Sequence, residues 1–315
     1  MAIVTDKSQV WRVVAAHAFL WIFLIITLFP FFVTLMISFT PGNFAGTGEL
    51  IPSSLSLEHW KNALCFDKNS ACYHYTNDDG KLVSGAYPVL KWLWNSIKVA
   101  GISAVFILLF STTAAYAFAR MKFRFRSQIL NGLMLTQMFP SVLALVAIYG
   151  LFTAIGEMKF EIAGYVWNFG ESFGIGTHKG LILAYIAGIS MHVWTIRGYF
   201  DTIPIEIEEA AKVDGATPFQ AFRYVLLPMA LPILMVVFLF AFIGGVLEYP
   251  VASILLTNED NYTFAIGSKS YFGSQDIKWG DFAAAAILSG FPITLVFMFA
   301  QKGMVSGLTS GGVKG

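Results

Sequence analysis

Six stretches of this chain contain no Asp, Glu, Lys or Arg, and each is close to the length needed to cross a bilayer. They cover residues 13–48, 99–119, 127–156, 180–196, 224–247 and 282–301. A helix rises about 1.5 Å per residue, so about 20 apolar residues cross about 30 Å of hydrocarbon. Five of the stretches meet that length, and 180–196 borrows Lys179 and Arg197 as snorkelling ends. None shows the alternation of a barrel strand, and lipid offers the backbone no partner outside its own segment, so helix is the expected form. The pattern predicts an all-α integral membrane protein with six transmembrane helices, near 13–39, 96–119, 128–153, 179–198, 226–247 and 282–302.

Composition strengthens this picture. Hydrophobic residues make up 57% of the 315 residues and charged residues only 12%, too few to cover a soluble core. A net charge of +1 gives no basic surface for nucleic acid, so no nucleic-acid partner is expected; the lipid bilayer is.

Charge placement sets orientation. With the N-terminus inside, the cytoplasmic segments are 1–12, the turn at 120–126, the long segment from Arg197 to Arg223, and the tail after Lys302. All six arginines (Arg12, Arg120, Arg124, Arg126, Arg197 and Arg223) then lie inside. Both termini are therefore expected in the cytoplasm, with a transmembrane domain over 13–306 and a tail at 307–315. The first apolar run is too long for a signal-peptide core and reads as a retained span. Outside lie a long polar loop at 40–95, a glycine- and aromatic-rich loop at 157–179, and a loop at 248–281. Cys65 and Cys72 fall in the first of these, on the oxidising side, where a local disulfide and two separate thiols are both open.

The six cores carry no Asp, Glu, Lys or Arg that would couple an ion to transport, and His192 is the candidate considered, read first as a packing residue. No phosphate-binding G-x-x-x-x-G-K-[ST] loop occurs, nor H-E-x-x-H or G-x-S-x-G. The chain therefore reads as a passive pathway, non-catalytic and moved by something else. Small-residue runs at 111–115 and 283–286 read as helix-packing faces. Trp194, Tyr149 and Phe152 could stack on a ligand ring, but packing is the more economical reading.

The cytoplasmic loop at 199–225 has a definite local design. Pro204 stands near a first helical position, followed by Glu206, Glu208 and Glu209, where the helix dipole favours negative charge. Ile203, Ile207, Ala210 and Ala211 form a stripe. Gly215 after Asp214 is a C-cap able to take positive φ. Thr217, Pro218 and Gln220 begin a second short helix that Pro228 should interrupt. Two short helices and a tight turn make a compact knob suited to a socket on a partner; an amphipathic connector on the membrane surface is the plainer alternative.

Spacing within this loop carries a resemblance. Glu209, Ala210 and Ala211, then three residues, Gly215, nine residues, and Val225, Leu226, Leu227 and Pro228 match the E-A-A-x3-G-x9-I-x-L-P signature of ABC importer permeases, with Val225 in place of isoleucine. WLWNSIK at 92–98, AYAFAR at 115–120, QMFP at 137–140, HVWT at 192–195, and residues 208–218 and 303–315 extend it along the chain. They are similar to the smaller permease subunits of maltose/maltodextrin systems, within the binding-protein-dependent inner-membrane component family.

The resemblance implies the ABC importer permease fold in a bacterial inner membrane. It also implies a larger second permease, two ATPase subunits and a periplasmic sugar-binding protein as partners. The chain itself would hold no cofactor, ATP and Mg being bound by the partner ATPase. Glu208, Glu209, Ala210, Ala211, Asp214 and Gly215 would form the coupling helix that docks on an ATPase. Asn258, Glu259, Asp260, Asn261 and Tyr262 would reach into the binding protein, and an extended tail with Gly311, Gly312 and Lys314 would contact the ATPases. A permease for another sugar or for glycerol-phosphate, and a stand-alone secondary transporter, are the alternatives.

Overall fold

The computed structural model describes residues 7–42, 51–66, 75–76, 82–83, 87–162, 165–273 and 277–311. Its helices are α1 (Lys7–Phe39), α2 (Glu58–Ala63), α3 (Val89–Arg120), α4 (Arg126–Met138), α5 (Ser141–Glu157), α6 (Phe169–Phe173), α7 (His178–Ile186) and α8 (Ser190–Phe200). They continue with α9 (Ile205–Val213), α10 (Pro218–Ala221), α11 (Leu227–Met229), α12 (Leu231–Leu247), α13 (Pro250–Leu255), α14 (Phe264–Gly267) and α15 (Trp279–Gly311). Two antiparallel hairpins interrupt the helices: β1 (Tyr75–Thr76) with β2 (Leu82–Val83), and β3 (Lys159–Ile162) with β4 (Tyr165–Asn168). The second hairpin occupies the loop that the sequence left without structure.

Among the described residues, three helices are long and apolar enough to cross a membrane, and up to six spans result if each bent helix pair counts as one. The unbroken three are the segments Val10–Phe39, Val89–Arg120 and Trp279–Met304. The others are interrupted where backbone chemistry requires it. Pro140 separates α4 from α5, since a proline disfavours helix in the residue before it. A turn around Gly188 bends α7 against α8 by 46°. A break at Ala230, ahead of Pro232, bends the α10–α11 segment against α12 by 75°.

Several boundaries differ from the sequence expectation. α3 starts at Val89 rather than near 96, because Lys91, Asn95 and Lys98 continue the helix past the apolar run. The last helix runs through Gly311, where an extended tail was expected from 307. Pro228 does not end its helix: a π-turn over Phe222–Leu226 precedes it, so its missing N–H falls in the first turn of α11.

The chain divides into two compact units. One comprises residues 1–88 and 270–288. Within it, the Val10–Phe39 segment of α1 is strongly apolar and exposed over most of its length, as a lipid- or partner-facing helix would be. His59 of α2 is fully buried beside Asp281.

The other unit comprises residues 89–269 and 289–315 and is organised on α3. A stripe of Trp92, Ser96, Val99, Ser103, Ile107, Ser111, Ala115 and Phe118 buries one face of α3 along its whole length, at helical spacing. In lipid, contacts between helices depend on close van der Waals fit. Gly245 of α12 supplies such a fit, since a Cβ there would lie 3.0 Å from the Ala100 Cβ. At the other end Phe118 packs with Leu130, Phe200, Ile203, Phe222 and Leu226.

Candidate functional site

The loop after α8 is two short helices and a turn, built as its sequence dictates. Pro204 precedes α9 at φ −56°, with Glu206 and Glu208 in the first turn. Gly215 closes α9 at φ +92°, a conformation L side chains rarely adopt. The Thr217 side chain accepts from the Gln220 N–H while Gln220 Oε1 accepts from the Thr217 N–H at 2.7 Å, completing a capping box.

The faces of this knob differ from the expected stripe. Ile203 is buried, but Ile207 and Ala210 are exposed and Ala211 is half-buried. The outward surface instead combines Glu209, Ala210, Asp214 and Gly215 with two large apolar side chains, Val213 at 87% exposure and Phe219 at 66%.

Glu208 is the correction. It is 1% exposed and turned inward, so it cannot meet an ATPase directly. Its carboxylate pairs with Arg120 Nε at the end of α3. The Arg120 Nη2 also donates to the carbonyls of Phe200 (3.0 Å) and Ile203 (2.9 Å). One guanidinium thus ties the end of α8, the link before α9 and the first turn of α9 to α3. A rigid five-donor fork suits this task better than an ammonium. Removing either partner would strand a buried charge. The pair spans 88 residues of sequence. The only local hint was an acid on the inward face of α9.

The expected binding-protein loop lies at the opposite end of α3. Asn258, Glu259 and Asp260 are exposed, whereas Asn261 and Tyr262 are partly buried. The Asn258 side chain caps this single 3-10 turn by accepting from the Asp260 N–H at 3.0 Å. Asn261 is tied inward, its Nδ2 donating to the Gly176 carbonyl at 2.7 Å and its own carbonyl facing His178 Nε2 at 2.8 Å. From α3, Lys91 pairs with Asp260, and Asn95 Nδ2 donates to the carbonyls of Asp260 (3.1 Å) and Tyr262 (3.0 Å). Ser96 Oγ accepts from the Phe264 N–H at 2.8 Å. Gly267 of α14 lies flat under the Trp92 ring, where a Cβ would come within 2.2 Å of ring carbon.

Gly311 is the last residue of α15, and Gly312 and Lys314 lie outside the described residues. Cys65 is disulfide-bonded at φ +58°, and Cys72 lies outside the described residues. Phe152 is buried among Val99, Leu181 and Leu255. The Trp194 Nε1 donates to the Leu130 carbonyl at 3.2 Å, and both aromatics are packing residues. Tyr149 is exposed.

His192 lines a cavity of about 180 Å³ with Tyr185, Gly188, Gly244, Gly245 and Glu248. Glu248, just past the apolar run of α12, was missed. Its carboxylate accepts from the Tyr185 hydroxyl (2.9 Å) and from the N–H groups of Val251 (2.8 Å) and Ala252 (2.9 Å), so it caps α13.

Outside the spans, His59 has acceptors at both ring nitrogens. Nδ1 faces Asp281 Oδ1 at 2.7 Å, and Nε2 faces the carbonyls of Thr40 (2.9 Å) and Gly42 (3.1 Å). Only the imidazolium donates from both. Burial works against its charge, but the Asp281 hydrogen bond and charge, the Thr40 carbonyl and Glu58 outweigh it and hold the His59 pKa above its ordinary 6.5. Gly280 stands against the ring, and a Cβ there would come within 2.1 Å of it.

Comparison with known proteins fits this geometry. Residues 107–309 match the model of the family described as binding-protein-dependent transport system inner membrane component. The maltose/maltodextrin transport system permease protein MalG of Photorhabdus laumondii is 53% identical over 315 residues, with both chains fully covered. The protein of that name from Escherichia coli K12 is 50% identical over the same span. Among solved structures, a chain of a bacterial ABC transporter involved in import of the acidic polysaccharide alginate superposes with a TM-score of 0.70 at 18% identity, over 94% of this chain and 98% of that one. That likeness shows the fold of an ABC transporter permease. With its knob, its apolar helices and full-length relatives at 50% and 53% identity, the chain belongs to the binding-protein-dependent transport system inner membrane component family.

Proposed function

We propose that this chain is the smaller permease of an ATP-driven maltose/maltodextrin importer, forming one wall of the pathway and carrying no chemical step itself. Its partners on this reading are a larger permease, two ATPases that bind ATP and Mg, and a periplasmic sugar-binding protein. The observation that carries the reading is the exposed knob at 209–219, held to α3 by a buried ion pair. Such a knob transmits movement because it is fixed on its inner side and free on its outer side. ATP binding draws the ATPases together and the knob moves with them. The spans then tilt between inward- and outward-facing arrangements as packed bodies. By reciprocity, a loaded binding protein raises ATP hydrolysis through the same contacts. Relatives bearing the maltose/maltodextrin name over the full length support the sugar class.

The test uses the assembled complex in proteoliposomes. Glu209→Lys reverses an outward charge of the knob, and Gly215→Pro demands φ near −65° where the chain needs +92°. Both variants are expected to insert and yet lose sugar uptake together with binding-protein-stimulated ATP hydrolysis. Normal values for both activities in inserted protein would remove the coupling role.

A further inference from the structure

The coupling reading leaves open how an event at the external face reaches the knob, and the shape of α3 supplies a route. α3 has 32 residues and so extends about 48 Å, enough to reach across the bilayer with its ends outside the hydrocarbon. It contains no proline and one glycine, Gly101, whereas the other long unbroken helices, α1 and α15, carry Pro30 and Pro292 inside. The remaining apolar segments are interrupted at Pro140, Gly188 and Ala230. Both ends of α3 are joined by side chains to the two loops that face partners on the proposed reading. At the outer end Lys91, Asn95 and Ser96 hold Asp260, Tyr262 and Phe264. At the inner end Arg120 holds Phe200, Ile203 and Glu208. Between them, the buried stripe keeps the helix seated along its length.

From this geometry we infer that α3 is a strut connecting the external loop at 258–262 to the coupling knob, with Asn95 and Arg120 as the positioning residues at its two joints. The inference rests on the proposed coupling role and adds to it a specific mechanical link. A loop displaced by the binding protein would move its two carbonyls, and with them Asn95. An unbroken helix seated on one face would pass that displacement to Arg120 instead of absorbing it in a bend. Arg120 would then carry the start of α9 with it.

A double-mutant cycle on the assembled complex in nanodiscs tests the link. ATP hydrolysis is measured against increasing maltose-loaded binding protein for the wild type, Asn95→Ala, Arg120→Lys and the double variant. Wild-type stimulation is the control: its absence would overturn the proposed function and with it the strut. With stimulation present, Asn95→Ala is expected to leave unstimulated hydrolysis within about twofold and to lower maximal stimulation about tenfold. Arg120→Lys should lower the maximum similarly, and the double variant should be no worse than the worse single, because a serial link needs breaking only once. Glu208→Asp replaces Arg120→Lys if the latter does not assemble. Losses that multiply in the double variant would overturn the strut. So would an Asn95→Ala complex that needs more binding protein for half-stimulation yet reaches the full maximum, which marks a purely local role.

Discussion

The two ends of α3 are both fastened by an ion pair, but the pairs are of opposite kinds. At the inner end the side chains of Arg120 and Glu208 are 10% and 1% exposed, and the guanidinium also serves two carbonyls. At the outer end Lys91 and Asp260 are 36% and 59% exposed, and the neutral Asn95 makes the buried contacts. A buried pair that loses one member leaves a charge without solvent, whereas an exposed pair exchanges its partner for water. The inner joint is therefore built to be permanent. The outer joint rests on a neutral amide and a solvated pair, which cost less to break and remake.

Substitutions grade this contrast. The largest effect belongs to Glu208→Ala or Arg120→Ala, expected to destabilise the folded chain by about 3–5 kcal/mol and to reduce the inserted protein recovered with its partners. Thermal unfolding of the purified complex measures it, and a loss under about 1 kcal/mol would make the inner joint no stronger than a surface pair. Asn95→Ala comes next. It leaves the carbonyls of Asp260 and Tyr262 without their amide donor, at a cost of about 1–3 kcal/mol read as faster local proteolysis around 258–262. Lys91→Ala should cost about 0–1 kcal/mol, a cost diminished further by salt. If Lys91→Ala outweighed Glu208→Ala, the contrast between the two ends would be reversed.

The smallest expected effect concerns the His59–Asp281 contact and is set by pH. The pKa of His59 is raised above 6.5 in the folded chain, so its contribution to stability is fully present below about 6.5 and is lost as pH rises through the folded value. Protection of the α2 segment from amide exchange should fall as pH climbs above about 6.5, after correction for intrinsic exchange. His59→Asn should flatten the trend. Protection that rises with pH would mean the ring is held neutral.

Much of this was legible in the sequence, for reasons that differ by region. The apolar runs and the arginine asymmetry reveal membrane helices because lipid enforces both. Pro204, Gly215 and the Thr217–Gln220 pair reveal the knob because caps and turns are short-range chemistry. The breaks near Gly188 and Ala230 were hidden because an apolar run reads as continuous whether or not it bends. The inward turn of Glu208 was hidden because its partner is 88 residues away. The three acids of α9, Glu206, Glu208 and Glu209, look equivalent until the fold selects one for Arg120. Glu248 was passed over because it stands one residue beyond an apolar run, where a solvated acid is the ordinary expectation.

On the proposed reading this chain is a passive wall moved by ATPases acting on its knob. Uptake of labelled maltose into proteoliposomes holding the full complex tests it most directly, with ATP and binding protein supplied and the membrane potential collapsed by an ionophore. Uptake that persists without the potential and stops when the ATPases are made unable to hydrolyse ATP is the expected result. Uptake that disappears with the potential but survives inactive ATPases would contradict the claim and make the chain a secondary transporter.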